Sequence, residues 1–220
     1  MTSPGAQGDT GPEPLAIRPP LQRRSREAWS RVLDAGVSLL EDGGYEAFTI
    51  AAVCARAQVP PRAIYARAAS KDALFLAVYE HGMARVRAEH ALLAEGEGWH
   101  GLPPAEVAER AVREVAGIFT RHAALLRSVV LISGVHPEVN RRGALYSREL
   151  GDAFTALLLG EGAGIGQPDP EAAVWTAFNA VFAALVLRTA YGPGFAVPAA
   201  DDETFIETLA AMVRYYLFPR

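Results

Sequence analysis

The sequence predicts an all-α protein of about nine helices, and three observations predict it. Apolar residues recur at helical spacing in window after window, Gly and Pro fall between those windows, and no alternating run long enough for a strand occurs. Half of the 220 residues are hydrophobic and 21% are charged, so the chain has the apolar material for a real core.

Taken in order, residues 1–20 are rich in Gly, Pro, Ser and Thr and show no periodicity. They cannot bury enough surface to offset the entropy of ordering, and a disordered tail is expected. It runs into Arg18, Arg23, Arg24 and Arg26, which read either as a basic arm for a phosphate backbone or minor groove, or as a solvated lead-in to a helix. A first helix follows from Ser25, with Trp29, Val32, Leu33, Val37 and Leu40 on one face, and Gly43-Gly44 ends it. Thr49 is a good N-cap for a short second helix from Ile50 to Ala57. Pro61 suits the first turn of a third, because its missing N–H costs nothing there. A fourth begins after Ser70, with Asp72 at its positive end and Leu74, Phe75, Val78 and Tyr79 as its apolar face, and continues to about Leu93. Residues 95–101 read as a loop, and further helices are expected near 104–120, 122–133, 137–159, 170–191 and 202–217.

The net charge of −4 argues at first against a polyanionic partner, but its distribution does not. Residues 1–14 carry two acidic side chains; residues 15–71 carry nine basic against five acidic; residues 72–220 carry twelve basic against eighteen acidic. The basic module is the part that a phosphate backbone would attract. No uncharged apolar stretch reaches 18 residues and the N-terminus lacks a signal-peptide pattern, so neither a membrane partner nor export is expected, and the expected location is the cytoplasm. Cys54 is the one cysteine, which excludes an intrachain disulfide, and it reads as a small buried hydrophobe of the second helix.

From Arg26 to Val78 the arrangement resembles the N-terminal domain of the TetR family of bacterial transcriptional regulators. The resemblance rests on Ala35, Gly44-Tyr45, Thr49, Val53-Cys54, Ala57-Gln58-Val59, Tyr65, Lys71-Asp72 and Leu74. It implies a three-helix DNA-binding domain over residues 21–70 and a larger helical domain over 71–220 that dimerises and encloses a ligand. Three positions depart from the family pattern: Gln58 stands for the turn glycine, Pro60 for a small polar residue, and Ala68 for an aromatic. Gln58 is then required to adopt a positive φ that glycine tolerates better, and Ala68 removes a packing ring between helices three and four.

Elementary recognition chemistry assigns roles beside the resemblance. Arg62 is the candidate base reader, since a guanidinium pairs bidentately with guanine, and Ala63 is placed to touch a thymine methyl. Thr49 and Lys71 stand at helix N-termini, where hydroxyl, ammonium and backbone N–H groups hold phosphate. Tyr65, by the resemblance, and Arg67, by its charge, complete the expected backbone contacts.

In the second domain, Trp175, Phe178, Phe182, Leu185 and Val186 form one apolar stripe, and Phe205, Leu209, Met212, Val213 and Tyr216 another. Phe178, Phe182, Leu185, Leu209, Met212, Val213 and Tyr216 are the expected dimer contacts, with internal core as the competing reading of each stripe. Phe119, His122, Leu126, Val130, Tyr146, Phe154, Trp175 and Asn179 mix apolar walls with a few polar groups and are the expected ligand contacts, with internal core as the competing reading of each. The five histidines lack the i, i+4 pairing of a helical metal site, and Gly160 to Gln167 places Ile165 where a phosphate loop needs its third glycine. No nucleophile elbow, HExxH or paired carboxylates point to catalysis, so no cofactor, metal or enzymatic activity is expected.

The expected function is a DNA-binding regulator: a homodimer on a palindromic double-stranded operator, acting as a repressor that an unidentified small hydrophobic effector releases. Competing readings are a regulator controlled by a protein partner with no ligand cavity, and a helical small-molecule-binding protein or enzyme with a vestigial DNA-binding module.

Overall fold

A computed structural model describes residues 15, 17, 18, 23–95, 98–160, 164–195, 198 and 200–219. Most of the expected tail, and the middle of the glycine run after Gly160, lie outside the described residues. Within them the secondary structure is helical apart from one isolated bridge: α1 (Arg23–Ala47), α2 (Ile50–Ala57), α3 (Pro61–Tyr65), α4 (Lys71–Glu95), α5 (Pro104–Arg121), α6 (Ala123–Ser133), α7 (Pro137–Gly160), α8 (Pro170–Tyr191) and α9 (Asp202–Leu217). The expected all-α class and the order and limits of its helices agree closely with these elements.

The helices begin and end where local chemistry dictates. Thr49, Asp169 and Asp201 cap α2, α8 and α9 by accepting the N–H of the third residue on, and Ser70 does the same ahead of α4. Helical hydrogen bonding runs on to Ala47 at the end of α1, but Gly44 sits at φ +66°, ψ −164° and kinks the chain where the glycine pair was expected to end the helix. Gly36, mid-helix, serves a different purpose: a Cβ there would collide with both methyls of Val78, so its absence lets α1 and α4 cross closely.

Val32, Val37 and Leu40 of α1 close over Phe48, Val53, Ile64, Leu74, Phe75 and Val78, all buried. Tyr45 and Phe48 both meet the Phe75 ring edge-on, at 4.8 and 5.7 Å between centroids. This small core continues along α4 into the second layer. There α5 turns through 85° into α6 at His122, and α5 packs most extensively on α9. Trp99, in the segment read as a plain loop, is buried under the Arg110 guanidinium, 4.7 Å from its ring centre.

Helix α4 joins the two layers, and hydrogen-bonded pairs fasten it on nearly every side. His81 of α4 meets Asp34 of α1 at 2.8 Å, Asp72 of α4 meets His136 ahead of α7 at 2.7 Å, and Glu89 of α4 meets His122 at 2.8 Å. On α7, Arg142 is buried and donates to Glu138 and to Glu80 of α4. From α6, the Ser128 hydroxyl donates to the Leu40 carbonyl at 2.6 Å, so α6 holds the end of α1 directly.

Candidate nucleic-acid interface

Two short helices and the turn between them make the site. The α2 C-terminus closes on Gln58, the one non-glycine among the described residues with positive φ, at φ 54°, ψ 48°. Its N–H reaches back to the Ala55 carbonyl, and the next N–H, of Val59, donates to Cys54 at 3.1 Å. The left-handed residue expected at this position is therefore present, and the turn is made without glycine. Pro60 then precedes α3 in extended conformation with no side-chain cap, and Pro61 occupies the first turn.

Helix α3 is only five residues long, and its spacing decides what faces outward. Ile64 and Ala68 are fully buried, which anchors the helix from below. Arg62 is exposed, with no hydrogen bond or ion pair to another described side chain, and Tyr65 is 58% exposed. Ala63 is half-buried and lines a cavity of about 110 Å³ with Ala28, Trp29 and Val32 of α1, so it leans toward α1.

At the flanks, the exposed Thr49 hydroxyl accepts the Ala52 N–H at 3.1 Å, which leaves its own proton for an outside acceptor. Lys71, the first residue of α4, holds its ammonium 4.2 Å from the Tyr45 ring centre, an arrangement that fixes the stem and keeps the charge. Thr49, Arg62, Tyr65 and Lys71 thus leave polar or cationic groups open beside the recognition turn. Arg67 does not share this freedom. It is half-buried, and its guanidinium donates to the Arg18 carbonyl at 2.9 Å and to Ser25 Oγ. Two of its five N–H donors thus serve as an internal clamp. Cys54 is buried and burial pushes its thiol pKa up, which suits its reading as a core residue.

In the second layer, several of the side chains expected around a ligand are packed into the core. Leu126, Tyr146 and Phe154 are buried, and Phe154 and Trp175 each pack on Phe178 at 5.6 and 5.8 Å between centroids. His122 pairs with Glu89, Val130 is half-buried, and Asn179 lies on the outer face of α8, opposite the row Val174, Ala177, Phe178 and Val181 that faces inward. Of the eight expected ligand contacts, only Phe119 borders a described cavity. That cleft, of about 340 Å³, lies between α5, the start of α6, the end of α8 and α9. A larger groove of about 650 Å³ runs between the end of α1 and α6, and Ala124 and Arg127 border both.

Of the expected dimer contacts, Phe178, Leu185, Leu209 and Val213 are buried within one chain, as the competing core reading has it. Phe182 is half-buried, while Met212 and Tyr216 are exposed, as are Leu187, Tyr191 and Tyr215. Helix α8 has the length and apolarity of a membrane span, with a mean hydropathy of 1.5 over its most apolar 18 residues, but only 33% of that stretch is buried in the chain. The stripe seen in the sequence is the inner one; the outer one consists of alanines and scattered large side chains that carry no period of their own.

Comparison with known proteins finds two family models along the chain. Residues 32–78 match the family model described as bacterial regulatory proteins, tetR family, and residues 103–217 match that of the tetracyclin repressor-like, C-terminal domain. The A-factor receptor protein of Streptomyces griseus is 34% identical over 68 residues, which are 31% of this chain and 25% of that protein, so the match spans about a quarter of the relative's length. Among solved structures, a transcriptional regulator from Rhodococcus sp. superposes with a TM-score of 0.62 at 18% identity, covering 86% of this chain and 94% of that one. A TetR-like transcriptional regulator from the same genus gives 0.58 at 22%, covering 88% and 97%. A TetR-family member from Streptomyces coelicolor gives 0.54 at 20%, covering 85% and 98%. At these identities the structures are similar in fold.

Proposed function

The chain belongs to the TetR family of bacterial regulatory proteins and is a DNA-binding transcriptional regulator, and from that premise we propose that it is a homodimeric repressor released from a palindromic operator by a small molecule. The observation that carries the proposal is the uncompensated Arg62 on the outer face of a buried-anchored α3, flanked by Thr49 and Lys71. Arg62 reads a guanine edge, and Tyr65, Thr49 and Lys71 hold phosphates. Residues 21–70 are the reading unit and residues 71–220 the effector and dimer unit.

The dimer is supported by the outer face of α8 and α9, where a second copy related by a two-fold axis would cover Leu187, Tyr191, Met212, Tyr215 and Tyr216. Effector control is supported by the cleft at Phe119, whose wall includes Arg127 of α6 one residue before Ser128, the contact to the end of α1. A ligand that binds better when α6 is displaced shifts the spacing of the two reading units away from successive major grooves, and it weakens DNA affinity by that difference alone. The protein works where the chromosome is, in the cytoplasm, and makes or breaks no bond.

Selection of bound sequences from random DNA by the purified protein tests this reading. A two-fold symmetric consensus with half-sites one helical turn or a multiple apart is expected; recovery of no enriched palindrome would sink it. A thermal-shift screen of small hydrophobic compounds, repeated with operator present, reads the effector: a compound that raises the melting temperature of free protein and lowers operator affinity is expected.

A further inference from the structure

We propose that Arg18 is a DNA-backbone contact outside the helix-turn-helix, and that Arg67 is the positioning residue that holds it in place. The proposal rests on the DNA-binding reading above. Ile17 forms an isolated antiparallel bridge with Ala68, immediately beyond α3. The Arg18 N–H donates to the Arg67 carbonyl at 3.2 Å, while the Arg67 guanidinium folds back onto the Arg18 carbonyl at 2.9 Å and onto Ser25 Oγ at the start of α1. One residue thus ties the incoming strand to both α3 and α1.

Ile17 turns inward and packs on the core beside Ala68, which is 0% exposed, whereas Arg18 turns outward into solvent. A larger side chain at position 68 would compete with Ile17 for that space, so the alanine and the docked strand belong together. Arg18 pairs with no carboxylate among the described residues, and between residues 15 and 33 the chain has one acidic side chain, Glu27, which Arg23 engages at 2.9 Å. An unpaired cation in a basic neighbourhood suits a polyanion.

Position favours the phosphate strand beside the half-site. Arg18 is paired to a residue two positions after the exposed Tyr65, which sets it on the order of 10 Å from the end of α3. A major groove is roughly 12 Å wide. With α3 in the groove, Arg18 meets the backbone that borders it.

The test is the salt dependence of binding by the full-length protein, measured on the selected operator and on a random-sequence duplex. Arg18→Ala is expected to reduce the slope of log affinity against log salt by roughly 0.9 per protomer. It should also remove hydroxyl-radical protection at the nucleotides flanking each half-site, with an unchanged melting temperature. Arg67→Ala is expected to give the same loss of slope, and the double variant no further loss. An unchanged slope in Arg18→Ala overturns the proposal, and additive losses in the double variant assign the phosphate to Arg67 itself. If Arg67→Ala proves unstable, Ser25→Ala removes one anchor of the clamp and should lose part of the flanking protection. Failure to select an operator would overturn the repressor reading while the random duplex still reads the Arg18 contact.

Discussion

The recognition-helix face and the outer face of α8 and α9 are both left uncovered by the single chain, but what each leaves uncovered is different in kind. Around α3 the open groups are a guanidinium, an ammonium and two hydroxyls, while Ile64 of that short helix points down into the core. On α8 and α9 large apolar side chains are exposed, Leu187, Tyr191, Met212, Tyr215 and Tyr216, while Arg188 and Arg214 are engaged by Asp202 and Glu109. Unpaired charge can be satisfied by a polyanion in water, whereas unpaired apolar area is satisfied by its own kind. One molecule therefore shows two partner chemistries, and each can be broken separately.

The largest effect is expected on the apolar side. Leu187→Glu with Met212→Glu places four carboxylates near the two-fold axis of the proposed dimer, at a cost on the order of 3 kcal/mol or more. Light scattering should then report a monomer at concentrations where the parent is dimeric, with near-native helical content by circular dichroism. A variant that stays dimeric would place the seam elsewhere. On the polar side, Arg62→Ala should weaken operator binding by about 1–3 kcal/mol per half-site and relax the sequence preference at one position, with a much smaller change on random DNA. Equal losses on both would reduce Arg62 to a phosphate contact and blur the contrast between the faces.

How far the sequence reveals each region follows from how local its determinants are. Thr49, Gln58, Pro60 and Pro61 act within four residues of themselves, so the caps, the left-handed turn and the α3 start were readable one after another. The bridge from Ile17 to Ala68 joins residues 51 positions apart through a single pair, with no periodicity to announce it. The one available signal was Ala68 standing where an aromatic belongs, read as a lost ring, not as room for a strand. In α8 the apolar residues run nearly all round the helix, so spacing identifies a core row without separating it from an interface row; Phe178 and Leu185 were drawn from the inner one. Pocket walls are harder still. Phe154 and Tyr146 have the composition of a binding site, and whether such side chains leave a void depends on how rings from α7 and α8 interlock, which no spacing encodes.

A smaller effect sharpens the polar side by probing its scaffold. Gln58 holds a left-handed conformation that costs an L-residue roughly 1–2 kcal/mol, partly offset in the comparison with glycine by the greater freedom of glycine in the unfolded chain. Gln58→Gly should raise stability by about 0.5–1 kcal/mol in urea denaturation without altering operator specificity. A loss of stability would mean that the Gln58 side chain contributes more than its backbone strain costs.

The smallest effect concerns the joint between the reading unit and the body, and its sign can be worked out. The hydrogen bond with His81 is the chief cause holding the Asp34 carboxyl below its ordinary pKa, and the charges of His81 and Arg85 add to it against the cost of burial. A carboxylate with a depressed folded-state pKa stabilises the fold above its unfolded value near pH 4, and that contribution fades as pH falls through the folded value. Because the Asp34 side chain is 48% exposed, solvent screening limits the contribution to about 0.5 kcal/mol. Asp34→Asn should therefore be slightly less stable than the parent at pH 7, and the two denaturation curves should converge below about pH 4. Operator affinity is expected to respond more than stability does, since this pair fastens α1 to α4 and thereby sets the reach of the two reading units. If stability falls at pH 7 while affinity stays fixed, the α1–α4 joint is rigid without the pair, and control of spacing has to pass through the contact between Ser128 and Leu40 instead.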